Sequence, residues 1–226
     1  AAEASDNLCC IVDIQGVSLS RLCTILQANA GSEKMSAKFF QDVLRRYRIE
    51  LADEGDKELI GEAFLNLKFN FPVKQKSLKS ENWGWQYYPC TLKATSHSNG
   101  EMRISLTLNY EYSSTCPCSL SMAKQYEEQF REGSITEGNG IATAHSQRSN
   151  AMTTISYDIE DDFWIEDLIS LMRTALPTET QSLVKRIDEQ AFAILNGENP
   201  VFVEHVARRL SKALDGEERI LDWNVK

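Results

Sequence analysis

Basic residues are in the minority in this sequence. Its 226 residues include 24 Lys and Arg against 33 Asp and Glu, a formal charge of −9. Proteins that grip nucleic acid carry a net basic balance or a basic stripe, so that partner class is set aside. Long apolar runs are missing too, and none reaches the roughly 18 residues that span a bilayer. The opening AAEASDNLCC has no basic stretch followed by an apolar core, so no secretory leader and a soluble, cytoplasmic protein are expected. Cysteine is present six times, but never in the CxxC spacing of zinc knuckles or thioredoxin-like motifs. The six are therefore read as reduced thiols, with Cys9, Cys23 and Cys90 as small buried hydrophobes. No residue-level repeat is visible. The length and a 42% apolar share suit one large domain or two small fused ones.

The patterning that is present alternates between two periods. Leu8 to Ile14 is a short apolar run that fits a buried strand. Leu19, Leu22, Ile25 and Leu26 predict a helix capped by Ser18 and ending near Asn29–Gly31. Phe39, Phe40, Val43, Leu44 and Tyr47 predict a second over 36–49, with Arg45, Arg46 and Arg48 on a solvated face. Strict alternation over 63–71 predicts a strand, with Pro72 at its end or on an edge. Strands are expected over 83–95 and 102–112, around the Asn99-Gly100 turn. A helix is expected over 120–132, a loop over 133–140 and a strand over 151–159. Helices over 162–175, 183–195 and 200–214 follow, the second closed by Asn196-Gly197 and the third opened by Pro200. A strand over 220–225 closes the order β-α-α-β-β-β-α-β-α-α-α-β. This is α+β, with helices on one face of an antiparallel sheet. It divides near 114–140 into two halves, 1–115 and 116–226, inside one compact domain.

The residues able to carry chemistry are Cys116 and Cys118 directly after a strand, His145, Arg148, and the run from Lys185 to Glu189. Thiolate, imidazole and carboxylate together can hold a transition metal with a position open for water. A buried Cys, a surface His and a solvated acid pair would give the same letters, and spacing alone leaves both readings open. His97 and His205 are read as surface or helix-face histidines.

Thr115-Cys116-Pro117-Cys118-Ser119, followed by Ala144-His145-Ser146-Gln147-Arg148-Ser149, resembles the paired CPCS and AHNQRS motifs of the type IB GTP cyclohydrolases. Three more stretches resemble that family in the same order: Gly16 to Leu22, Leu183 to Glu189, and Asn199 to His205. The resemblance implies a tunnelling fold, two tandem antiparallel-sheet units with helices on one face, assembled into a homo-oligomer, a tetramer. It implies metal-dependent hydrolytic opening of the GTP imidazole ring, release of formate and formation of 7,8-dihydroneopterin triphosphate, the entry to folate synthesis. The metal would be zinc, manganese or iron. Carried over, Cys116 becomes a metal ligand or catalytic thiol, and His145 a second ligand or proton shuttle. Glu189 becomes the purine anchor and Arg148, Lys185 and Arg186 the triphosphate contacts, while Glu166 or Asp167 would stand in as a further metal ligand for the family's carboxylate. No membrane or nucleic-acid partner is implied.

The sequence departs from that pattern in four places. Twenty-eight residues separate Cys116 from His145, including an added stretch over 125–140. Ser18-Leu19 stands for His-Met, and Met172-Arg173 stands where the family offers a carboxylate. The family's E-S-I-H-N-H segment is not among residues 1–226. Two other readings accompany the cyclohydrolase: a deazaguanine nitrile reductase using a Cys nucleophile, and a non-catalytic purine- or pterin-binding relative.

Overall fold

A computed structural model of the chain describes residues 3–10, 19–30, 36–51, 60–97, 99–161 and 163–226. Its elements are β1 (Glu3–Cys10), α1 (Leu19–Ala30), α2 (Ala37–Glu50), β2 (Ile60–Lys76), β3 (Trp83–His97) and β4 (Met102–Thr115). They continue with α3 (Pro117–Arg131), β5 (Ser146–Tyr157), α4 (Ile165–Ala175), α5 (Arg186–Glu198), α6 (Val203–Asp215) and β6 (Ile220–Val225). The order matches the one predicted. The strands form one antiparallel sheet, β1 to β6 in chain order, because each neighbouring pair is consecutive among the strands. The α+β architecture expected from the sequence, helices packed on an antiparallel sheet, is therefore present. Among the described residues no helix is long and apolar enough to cross a membrane.

Alternation decides the two faces of the sheet. Leu92, Ile104, Leu106, Leu108, Tyr110 and Ile155 point one way and are almost wholly buried. Helix α2 covers β2 and β3 with Phe40, Val43, Leu44 and Tyr47, spaced on one helical stripe. Helices α4 and α6 pack on each other, and α4 lies on β4 through Ile165, Leu168 and Met172. Each large side chain so buried contributes about 1.5–3 kcal/mol of transfer free energy.

Boundaries differ from expectation where a partner far along the chain competes with local pattern. Strand β2 does not end at Pro72 but continues to Lys76. Among the described residues β1 pairs with it from Ile60 to Lys68 and no strand pairs with Pro72 on that side, an edge position that tolerates proline. Helix α5 starts at Arg186 rather than Leu183 and runs through Asn196-Gly197 to Glu198. Pro200 lies before α6, which Phe202 caps. Ser36 caps α2, its hydroxyl accepting from the Phe39 N–H at 3.3 Å. Arg48 is only half exposed and donates to the His97 carbonyl at 2.7 Å, so the arginine face of α2 is not uniformly solvated. Cys23 is exposed, against expectation, because it faces away from the Leu22 and Ile25 stripe; Cys90 is buried. The Ser18 cap and residues 11–14 lie outside the described residues, as do the Cys9 side chain and the Gly16–Ser18 part of the early motif.

Candidate functional site

The two motifs singled out in the sequence interlock. Strand β4 delivers Cys116 to the N-cap of α3, with Pro117 in the first turn where no N–H is needed. The Cys116 N–H donates to the His145 carbonyl at 2.9 Å. The His145 N–H donates to the Ser119 hydroxyl at 2.8 Å. His145 is thus gripped through both backbone groups by the Cys-Pro-Cys-Ser turn. One step along, the hydroxyls of Thr115 and Ser146 meet at 2.8 Å, and those of Ser114 and Ser149 at 3.1 Å.

The stretch between the motifs is an excursion that returns to its starting point. Helix α3 leads outwards and residues 133–145 come back along it. The Tyr126 hydroxyl donates to the Glu137 carbonyl at 2.9 Å and accepts from the Gly140 N–H at 3.3 Å. Gly140 has φ +74°, and a Cβ there would strike the Phe130 ring. The 28 residues therefore separate Cys116 and His145 in sequence and not in space.

Cys116 and His145 line one cavity of about 450 Å³, with Tyr112, Gln147, Phe202 and Val203. The N-terminus of α6 is tied to this wall by the Val201 N–H, which donates to the Thr115 carbonyl at 3.0 Å. The cavity thus lies between the positive ends of α3 and α6, where a negative group is favoured.

Segment 178–188 runs along the same end of the sheet. Thr178 donates from its hydroxyl to the Ser113 carbonyl at 2.6 Å, and Thr180 from its hydroxyl to Glu111 at 2.9 Å. Ser77 donates to the Leu183 carbonyl at 2.6 Å. Gly84 leaves room there, since a Cβ on it would run into Leu183 at 2.9 Å. Asp188 then locks the tip of the β2–β3 hairpin. It accepts from the N–H groups of Lys79, Ser80 and Lys185, each at 2.8 Å, and from the Ser80 hydroxyl at 2.6 Å. Burial opposes its charge, but the Ser80 hydroxyl and the three N–H donors outweigh burial and hold this carboxyl well below the usual range.

A second buried network ties α4 to the same arm. Arg173 donates to Glu179 at 2.9 Å and to the Tyr88 hydroxyl at 2.9 Å, and Gln75 donates to Glu179 at 2.9 Å. Tyr88 also donates to Glu179. Burial, then the Glu179 carboxylate, pushes the Tyr88 phenol above its ordinary value. Glu179 is the carboxylate near Arg173, and these partners saturate it.

The remaining candidates fall into two groups. Arg148 is exposed on β5 with Glu111 at 3.4 Å, and Lys185, Arg186 and Glu189 are exposed at the start of α5. All four stand at the sheet end that carries Cys116. Glu166 does not join them. It is in the first turn of α4, after the far end of β5, and the twelve residues of β5 span about 36 Å. Among the described residues no group of three or more His, Cys, Asp and Glu is arranged to hold a metal. Cys116 and His145 fit part of a ligand set, and Glu166 does not extend it. His97 pairs with Glu62 at 2.7 Å, and His205 is exposed on α6.

Reading the letters alone gave Ser119, Asp188 and Phe202 no role of their own. Each sits inside a quoted motif, and the available signal for Asp188 was an acid at the third position of a helix, where it can accept from the cap.

The family model for the type I GTP cyclohydrolase folE2 matches residues 9–226. The chain belongs to this family. It is 39% identical over 213 residues to a GTP cyclohydrolase FolE2 of Dinoroseobacter shibae, covering 93% of this chain and 53% of that one. It is 40% identical over 214 residues to that of a Ruegeria species, with the same coverages. Against that of Paracoccus denitrificans it is 37% identical over 213 residues, covering 94% and 61%. The chain spans about half the length of the curated relatives it matches. Among solved structures, a uricase from Bacillus fastidious aligns with TM-score 0.50 and 11% identity, covering 99% of this chain and 70% of that one, a likeness of fold alone.

Proposed function

We propose that this chain is the ring-opening part of a GTP cyclohydrolase, hydrolysing the GTP imidazole ring with loss of formate to give 7,8-dihydroneopterin triphosphate at the entry to folate synthesis. The observation that carries the reading is the grip of the Cys116–Ser119 turn on the His145 backbone, which sets Cys116 and His145 on one cavity wall. The relatives' printed name supports it. Cys116 and His145 would hold zinc, manganese or iron through sulfur and ring nitrogen. When bound, such a metal lowers the pKa of water towards neutrality and so supplies the hydrolytic nucleophile.

The chain's own groups position the substrate. Arg148, Lys185 and Arg186 form the cationic rim for the triphosphate. Glu189 anchors the purine, because a carboxylate accepts two guanine N–H donors at once, and Asp188 fixes the helix turn that presents it. Where the metal is held without its ring, His145 instead relays the proton as the ring opens. Two further expectations belong to the same proposal. The chain works in the cytoplasm as a homo-oligomer, a tetramer, and among the described residues the outer edge of β6 has no partner strand and can take one. It divides into a first tunnelling unit, 1–115, and a second, 116–226.

The test is anaerobic incubation with GTP and added Mn²⁺ or Zn²⁺, following formate and the fluorescence of oxidised neopterin. Metal-dependent product that vanishes in Cys116→Ala supports the proposal. Bound GTP without formate under any metal overturns it and leaves a purine-binding relative, and NADPH oxidation with a deazaguanine nitrile would point to the reductase.

A further inference from the structure

The sheet face turned away from the helices carries a second polar site. The register aligns Lys68, Thr91, Thr107, Thr154 and Asn224 across five strands, and Asn109, Met152 and Lys226 in the next row. An open cavity of about 650 Å³ lies on this face, lined by Lys68, Asn70, Thr107, Asn109, Asn150 and Lys226 among others. It shares neither Cys116 nor His145 with the cavity described above.

Two features make it more than a groove. Among the described residues no ion pair engages Lys68 or Lys226, although the chain as a whole is acidic. In addition, Oδ1 of Asn109 is buried and has no hydrogen-bond partner. An orphaned amide oxygen is a cost that a ligand's donor removes. Lys68 on β2 and Asn109 on β4 are two strand spacings and one row apart, about 12 Å. A lysine stem covers part of that span, leaving the length of a sugar phosphate.

We infer that this cavity binds a sugar phosphate group, with the phosphate at Lys68 and a sugar hydroxyl donating to Asn109. The group belongs either to a free sugar phosphate or to a nucleotide. The Thr107 hydroxyl and the Asn70 and Asn150 amides supply further polar contacts, and Lys226 adds a second cation on the far wall. The inference does not rest on the ring-opening reading, and failure of formate release leaves it standing.

Calorimetric titration of the full chain with ribose 5-phosphate, AMP and inorganic phosphate tests it. Ribose 5-phosphate should bind saturably and at least tenfold more tightly than inorganic phosphate. Lys68→Glu and Asn109→Leu should each weaken it at least tenfold, while Arg148→Ala and Lys185→Ala stay within twofold. Equal binding of AMP assigns recognition to the sugar phosphate alone, and tighter binding assigns it to a nucleotide. Lys68 is exposed on the strand, so unchanged thermal unfolding of Lys68→Glu separates lost contact from lost fold. No saturable binding, or loss only in Arg148→Ala and Lys185→Ala, overturns the inference.

Discussion

The two ends of the sheet are held by different physics. At one end, residues 77–82, 113–119, 145–149 and 178–188 are joined by hydrogen bonds between backbone groups and short polar side chains. At the other, Tyr157 packs on Phe163 with ring centroids 5.3 Å apart, the Arg219 guanidinium lies 4.8 Å from the Phe163 ring, and Ile159 and Ile165 are buried nearby. Apolar burial tolerates small displacements at modest cost. A hydrogen-bonded turn either holds a side chain in place or does not. The candidate site stands at the end where position depends on single bonds.

Substitutions can break that division in order of size. Phe163→Ala removes a buried ring and should cost about 3–5 kcal/mol, lowering Tm by roughly 10 °C. Formate release per folded molecule should stay unchanged, as paired calorimetry and assay would report. Asp188→Asn should act in the opposite sense. Its folded pKa lies below the unfolded value of about 3.9, so the carboxylate's contribution is complete above that pH and is lost as pH falls through the folded value. The variant should lose that acid-sensitive component, exchange amide hydrogens faster over 77–82 and bind GTP less tightly. Ser119→Ala leaves the His145 N–H without its acceptor at a cost of about 1 kcal/mol, with a larger fractional loss in formate release than in stability. Arg46→Ala, at the exposed Arg46–Glu50 pair, should change stability by about 0.5 kcal/mol or less. Thiol labelling at pH 8 separates environments directly. Burial pushes Cys90 up to about 12, so it should react only after unfolding, while Cys23 and Cys118 react in the native protein.

Much of this was legible in the sequence because local periodicity and the apolar face agree. The alternation of Ile104, Leu106, Leu108 and Tyr110, and the α2 stripe from Phe40 to Tyr47, read correctly for that reason. Ends of elements were harder. Leu183 and Val184 look like a first helical turn, yet Leu183 is bonded to Ser77, 106 residues away, and α5 begins later. Asp188 was passed over for Glu189 because its partners, Lys79 and Ser80, lie over a hundred residues upstream. Glu166 looked compatible with Cys116 because sequence order does not say which end of a strand a helix starts from. The proximity of Cys116 and His145 came from motif resemblance, since an excursion of 28 residues gives no spacing signal.

The central claim is that Cys116 and His145 act as one unit. A double-mutant cycle on formate release from GTP, comparing Cys116→Ser, His145→Ala and the double variant with the unaltered chain, tests it most directly. The account predicts that the double variant loses no more activity than the worse single one. Losses that multiply would show two independent groups and contradict it.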